Sequence, residues 1–215
     1  MQKKTTTLIY GTGNAGKLVL MRHYLSTLQE IRLLGLKDLP FCWGEIEECG
    51  KDPLENARQK ALAYYRICGQ PVFSQDSGLY IEGLPKERQP GVHVRRVNGV
   101  NLTDEQMRKY YKKIAAEFGG RCVAQYQNAI CLVFSENEIY EARGGALNWK
   151  KFWLMTEERP QRMEGFPLDA ICADYRTGRH FYDGEATMPE EEGDGVRDFF
   201  RNALKQHEMR NKIEK

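Results

Sequence analysis

The sequence has no long apolar run. Its opening, Met1-Gln-Lys-Lys-Thr-Thr-Thr, leads into only three apolar residues, Leu8, Ile9 and Tyr10, so neither a signal peptide nor a membrane span is expected. It also lacks any C-x-x-C pair. The six cysteines (Cys42, Cys49, Cys68, Cys122, Cys131, Cys172) are scattered, which speaks against a zinc site or a disulfide framework and for reduced thiols in a cytoplasmic protein. Neither charge is in excess: 32 basic against 30 acidic residues leave a formal +2, and no nucleic-acid surface is expected from that balance. A small anionic ligand is not excluded, because one site needs only a few local cations. His23, His93, His180 and His207 form no catalytic or metal-binding spacing and read as structural or surface histidines. There is no internal repeat and no low-complexity linker.

What is present is ample apolar content, 41% over 215 residues. A chain of this length should hide roughly 70% of its unfolded surface, and residues 1–215 are read as one domain. Thr5–Tyr10 is β-rich and stops at Gly11. Lys17–Gln29 has helical apolar spacing at Leu18, Leu20, Met21, Tyr24, Leu25 and Leu28. Ile31–Leu36 reads as a strand, and Leu54–Cys68 as a helix stopped by Gly69 and Pro71. Val72–Gln75 and Leu79–Ile81 read as two short strands. Asp104–Phe118 reads as a helix capped by Thr103 and ended by Gly119-Gly120. Cys122–Phe134 and Ile139–Arg143 form a hairpin, and a last helix starts near Val196. The charged end, His207–Lys215, reads as frayed. Mixed elements with an antiparallel pair in the middle predict an α/β fold with a mixed sheet.

Gly11-Thr-Gly-Asn-Ala-Gly-Lys17 joins a strand to a helix. Its backbone N–H groups and the helix start form an anion site, to which Lys17 adds a charge. As G-x-G-x-x-G it matches a dinucleotide fingerprint, but the acid expected to close strand two is late, at Asp38. As a Walker A loop it fails at Leu18, which has no hydroxyl for Mg²⁺. A ligand-free glycine turn is the plainest alternative. Further on come Glu45-Ile-Glu-Glu-Cys-Gly50, the helix segment Asn56-Ala-Arg-Gln-Lys60-Ala61, Gln75-Asp-Ser-Gly-Leu79 and Pro90-Gly-Val-His-Val-Arg-Arg96. Taken alone, the glutamates also suit a solvated acidic face, and Asp76-Ser77-Gly78 an ordinary turn. Lys60 lies five positions after Glu55, so no i,i+4 pair explains it.

Taken together and in this order, these blocks resemble the T-G-N-x-x-K, E-E-x-G, N-A-x-x-K-A, D-D-S-G-L and P-G-x-x-S-A-R signatures of the inosine triphosphate pyrophosphatase family. The resemblance implies an elongated mixed sheet flanked by helices, with two lobes around a nucleotide cleft. It implies Mg²⁺-dependent hydrolysis of a nucleoside triphosphate to a monophosphate and pyrophosphate, and a homodimer. By the same resemblance Asp76, Lys17 and Lys60 carry the catalysis, and Glu47 and Asp76 hold the metal. Thr12, Gly13, Asn14, Ala15, Gly16, Lys17, Ser77, Arg96, Phe166, Asp169 and Arg197 bind substrate, with Arg95 a substitute for Arg96. Three departures stand out. Gln75 replaces the first aspartate of the family's pair and brings no charge. Gly165-Phe-Pro-Leu-Asp-Ala170 replaces G-F-G-Y-D-P. The acidic run Pro189-Glu-Glu-Glu-Gly-Asp-Gly-Val-Arg197 replaces a lysine and the S-H-R triplet. The phosphate half of the site is kept and the base-reading half rewritten. The alternative is a nucleotide-binding protein with lost or weak catalysis.

Overall fold

The computed structural model describes residues 5–40, 42–44, 46–184 and 193–213. Glu45 and, from the acidic run, Pro189, Glu190, Glu191 and Glu192 lie outside them. In chain order the elements are β1 (Thr6–Tyr10), α1 (Ala15–Leu25), β2 (Ile31–Gly35), α2 (Pro53–Cys68), β3 (Val72–Ile81), β4 (Arg96–Val97), β5 (Val100–Asn101), α3 (Asp104–Glu117), β6 (Arg121–Ser135), β7 (Glu138–Arg143), β8 (Phe152–Met155), β9 (Cys172–Asp174) and α4 (Asp194–Ile213).

The main sheet runs β2-β1-β3-β6-β8-β9, with β7 also on β6. β1 pairs parallel with β2 and β3; β3–β6, β6–β7, β6–β8 and β8–β9 are antiparallel. The mixed sheet is as expected from the sequence. Its interior is not. β3 is one strand where two were expected, paired with β6 from Val72↔Val133 to Ile81↔Ala124. Asp76-Ser77-Gly78 has turn chemistry, but the long partner strand holds it extended, a tertiary override of local preference. Gly78 lets the Gly91 backbone approach closely, since a Cβ would sit 3.2 Å from it, and Gly91 bridges to Leu79.

The two long strands carry two cores, one at each end. Phe73 of β3 and Ile130, Leu132 and Phe134 of β6 pack with Met21 and Tyr24 of α1 and Phe200 of α4. Leu79 and Ile81 of β3 and Cys122 and Ala124 of β6 pack with Met107, Tyr111 and Ile114 of α3 and with Phe152 of β8. On the opposite face of the first core, α2 seats Ala57, Ala61 and Tyr64 over Ile9, Val72, Cys131 and Val133. Between the cores β3 turns polar, from Ser74 to Ser77, and there Asp76 and Ser77 line a cleft.

Caps set the helix bounds. Asp52 accepts from the N–H groups of Leu54 (2.8 Å) and Glu55 (3.0 Å) at the start of α2, and Gly69 ends it at φ 62°. Thr103 and Gln106 form a reciprocal capping box on α3, so the expected cap is the observed one. As far as Ile213 the end of α4 corrects the frayed reading; Glu214 and Lys215 lie outside the described residues. His207 stacks on Phe134 at 3.8 Å and bonds Glu138 at 2.8 Å, Arg210 donates to the Asn137 carbonyl at 3.1 Å, and the helix continues to Ile213.

Candidate active site

A cavity of about 820 Å³ opens between the two cores. Its centre is lined by Gly11–Ala15, Lys17, Glu48, Lys60, Asp76 and Ser77, and one end by Val92, Val94, Arg95, Met107, Tyr126, Trp149 and Gly165–Asp169.

The glycine loop is shaped by its neighbours. A Cβ on Gly11 would lie 2.5 Å from Ser74 Oγ and 2.6 Å from the Tyr64 ring, and the Ser74 hydroxyl donates to the Gly11 carbonyl at 3.0 Å. Asn14 does three things. Its Oδ1 accepts from the Lys17 N–H at 3.0 Å, which starts α1 at Ala15, earlier than the apolar spacing suggested. Its N–H donates to Thr12 Oγ1 at 3.2 Å, and its Nδ2 donates to the Gly165 carbonyl at 3.2 Å, stapling the loop to the far lobe. Ala15 and Gly16, in the first turn of α1, have N–H groups that no intrahelical carbonyl can take. With the helix dipole they make the start of α1 a candidate anion receptor.

Beneath that receptor lies a charge cluster. Lys60 Nζ sits 3.2 Å from Asp76 Oδ1 and 3.1 Å from Glu48 Oε1. Asn56, one helical turn before Lys60, donates to Asp76 Oδ2 at 3.0 Å and accepts from the Gly50 N–H at 2.8 Å. Two hydrogen-bonded chains therefore connect the blocks singled out in the sequence: Glu48–Lys60–Asp76 and Gly50–Asn56–Asp76. Burial weakens the hold of Lys60 on its proton, but Asp76 and Glu48 outweigh it, and the pKa ends above the ordinary value. Lys60 thus stays an ammonium.

A family model, that of the Ham1 family, matches residues 8–148, about two-thirds of the chain. The chain belongs to the Ham1 family. A dITP/XTP pyrophosphatase of Nitratidesulfovibrio vulgaris is 39% identical over 181 residues, which cover 81% of this chain and 83% of that protein. One of Geobacter sulfurreducens is 40% identical over 100 residues, 46% of this chain and 48% of that protein. The chain thus spans about half the length of some of the curated relatives it matches. Among solved structures, a HAM1 protein from Coxiella burnetii superposes with a TM-score of 0.66 at 23% identity, over 95% of this chain and all of that one. The Staphylococcus aureus Ham1 protein does so with a TM-score of 0.61 at 21% identity, over 98% of this chain and all of that one. These two likenesses establish the fold.

Within this Ham1 chain the cavity gathers Thr12, Gly13, Asn14, Ala15, Lys17, Lys60, Asp76, Ser77, Phe166 and Asp169. Gly16 lies behind the wall, where a Cβ would sit 2.5 Å from the Glu164 carbonyl; it is a packing glycine. Glu47 is exposed and outside the lining, while its neighbour Glu48 is drawn in by Lys60. Arg96 is exposed on β4 and outside the lining; Arg95 lines the cavity, with its guanidinium on Asp104 (2.6 Å) and the Leu102 carbonyl (2.9 Å). Arg197 is also outside the lining, at the start of α4, donating to Asp194 and to the Tyr24 carbonyl. Gln75 falls outside the main cavity too: it accepts from the Tyr10 hydroxyl at 3.5 Å and borders a small void with Lys17 and Ser77. Asn56 belongs to the N-A-x-x-K-A block of the sequence but was given no role there, and Trp149 was not picked out. Asn56 had a signal, four residues before Lys60 on the same helix face; Trp149, in an irregular stretch, had none.

Lys17 gives the anion site a pH signature. Burial lowers its pKa, Lys60 lowers it further, and Asp76 and Glu48 only partly oppose them. Between the lowered folded pKa and the unfolded one, near about 10.4, the unfolded chain binds more protons, so this lysine makes the fold more stable as pH rises. A bound anion fares oppositely, because it loses its countercharge. We expect the dissociation constant for inorganic pyrophosphate, measured by calorimetry, to rise at a pH below the ordinary lysine range while the melting temperature is not lowered by this group. Lys17→Gln is expected to bind more weakly and without that inflection. A wild-type affinity that stays flat up to the ordinary lysine range would contradict the assignment.

Proposed function

We propose that this chain hydrolyses a nucleoside triphosphate between its α- and β-phosphates, releasing a monophosphate and pyrophosphate. The observation that carries the reading is the Glu48–Lys60–Asp76 cluster below the start of α1. The names of its relatives, dITP/XTP pyrophosphatases, support a purine triphosphate of that kind. Lys17 and the N–H group of Ala15 bind phosphate oxygens, and Lys60 neutralises charge nearest the bond that breaks. Asp76 orients the attacking water and accepts its proton. Each of its oxygens already accepts one hydrogen bond, from Lys60 or from Asn56, and keeps lone-pair capacity for a water or an ion. Ser77 and Phe166 contact the nucleoside.

Among the described residues no group of three or more His, Cys, Asp or Glu gathers around a metal position. Mg²⁺ does not require one, since it is commonly held by one or two carboxylates, with substrate phosphates and water completing the shell. Asp76 and Glu48, brought together on one ammonium, are hard oxygen donors of that kind and would hold it. When bound, Mg²⁺ screens the phosphate charge. Glu48 here takes the part that the sequence blocks assigned to Glu47. Glu48→Gln is expected to lower kcat/KM about a hundredfold, and Glu47→Gln by less than about threefold. The reverse order would return the part to Glu47.

The deciding assay is pyrophosphate release with Mg²⁺ from ITP, XTP, dITP and the standard NTPs and dNTPs. Release from one or a few of them is expected. Silence across the panel from folded protein would favour the second reading, a nucleotide-binding protein with lost catalysis, for which Gln75 is the motivating observation. We also propose a cytoplasmic homodimer that engages neither nucleic acid nor membrane. The family resemblance supports the dimer, and sedimentation as a monomer at micromolar concentration would refute it. Among the described residues no helix is long and apolar enough to cross a membrane.

A further inference from the structure

An acidic run replaces the lysine and the S-H-R triplet of the family pattern in this chain, and the cavity end that carries Phe166 is also lined by Trp149, whose indole N–H can only donate. Trp149 lines both the main cavity and the small void beside Lys17 and Ser77. Its backbone is tied at both ends: its N–H donates to the Tyr126 carbonyl at 3.1 Å, and its carbonyl accepts from Gln125 Nε2 at 2.8 Å. Its ring stands edge-on to Tyr126 at 5.1 Å and 6.2 Å from the Phe166 ring. Among the described residues nothing accepts from its indole N–H. Val94, Met107, Phe166 and Leu168 line the cavity with it, together with Arg95, Tyr126 and Asp169, and Trp149 itself is half-buried, so its donor is available to a ligand.

We propose that Trp149 is a specificity residue that donates its indole N–H to the 6-oxo group of a purine base seated against Phe166. The inference rests on the function proposed above. An indole N–H only donates. Hypoxanthine and xanthine present an acceptor at that position, whereas adenine presents an amino group, which sets donor against donor. A site built around one hydrogen bond rejects the analogue that leaves it unpaired. Tyr126 does not supply this discrimination, because a neutral phenol both donates and accepts. Burial keeps it neutral. Arg95 does not either, with its guanidinium on Asp104 and Leu102.

The test compares wild type with Trp149→Phe, which keeps an aromatic ring and removes the donor, in two readouts. In calorimetry, wild type binds IMP more tightly than AMP, and Trp149→Phe loses that preference through an approximately tenfold weaker grip on IMP alone. In pyrophosphate release, the variant loses about tenfold in kcat/KM for ITP against ATP, with the same change in their ratio. A wild type that binds IMP and AMP alike, or binds neither, overturns the proposal. So does a variant that keeps the preference, as it would if the N–H met N7, which both bases share. Binding is read without turnover, so an IMP preference abolished by Trp149→Phe upholds the assignment even if no triphosphate is cut. In that case it is the hydrolytic reading that fails.

Discussion

Asp76→Asn is expected to reduce pyrophosphate release about a thousandfold, within the range that a positioned general base contributes, while leaving the fold intact. Asp76 is 7% exposed and each of its oxygens already has a donor, Lys60 Nζ on one and Asn56 Nδ2 on the other. Asparagine keeps the shape but offers one oxygen and one amide. Either Lys60 or Asn56 then faces a donor in place of an acceptor. Lys60 still has Glu48, so the loss is smaller than for a stranded buried charge, about 1–3 kcal/mol. The expected pattern is a lowered melting temperature, a cooperative transition, and activity lost far beyond what that destabilisation explains. Wild-type turnover in this variant would remove Asp76 from the chemistry. Loss of the cooperative transition would make it a folding residue first.

The parts of this site legible in sequence were those fixed by short-range geometry. A strand, a glycine loop and a helix start follow one another within Thr6–Lys17, and each is fixed by local sterics and caps. The Thr103 box is likewise local. What escaped depends on distant chain. Asp76-Ser77-Gly78 becomes strand only because residues 127–129 of β6 run alongside. Glu48 and Glu47 are indistinguishable until Lys60, twelve residues beyond Glu48, selects one of them. β8 and β9 are too short to show a period and exist as strands by pairing, β8 on β6 and β9 on β8. Trp149 acquires meaning only from Phe166 and Tyr126 around it. Three of the family blocks, those that hold Glu48 and Gly50, Asn56 and Lys60, and Asp76, are joined by hydrogen bonds that spacing alone does not reveal.

The contact between Asn14 and Gly165 makes a second large effect calculable. Gly165 has φ 85°, and a Cβ there would lie 2.2 Å from Asn14 Oδ1, closer than any real contact. Gly165→Ala therefore adds left-handed strain of about 1–2 kcal/mol. It also pushes Asn14 off both its partners, costing about 1 kcal/mol for the lost helix cap. The same shift moves Phe166 and loosens the start of α1, so kcat/KM is expected to fall at least about tenfold with the loss of preorganised geometry. Asn14→Ala alone loses the cap and the staple but leaves Gly165 unstrained. If the close approach is the cause, the double variant Gly165→Ala with Asn14→Ala is less destabilised than the sum of the singles, by about 1 kcal/mol in denaturant unfolding. Strict additivity would mean that the glycine loop and the Phe166 segment respond independently. The staple between the two lobes would then be a contact without energetic consequence.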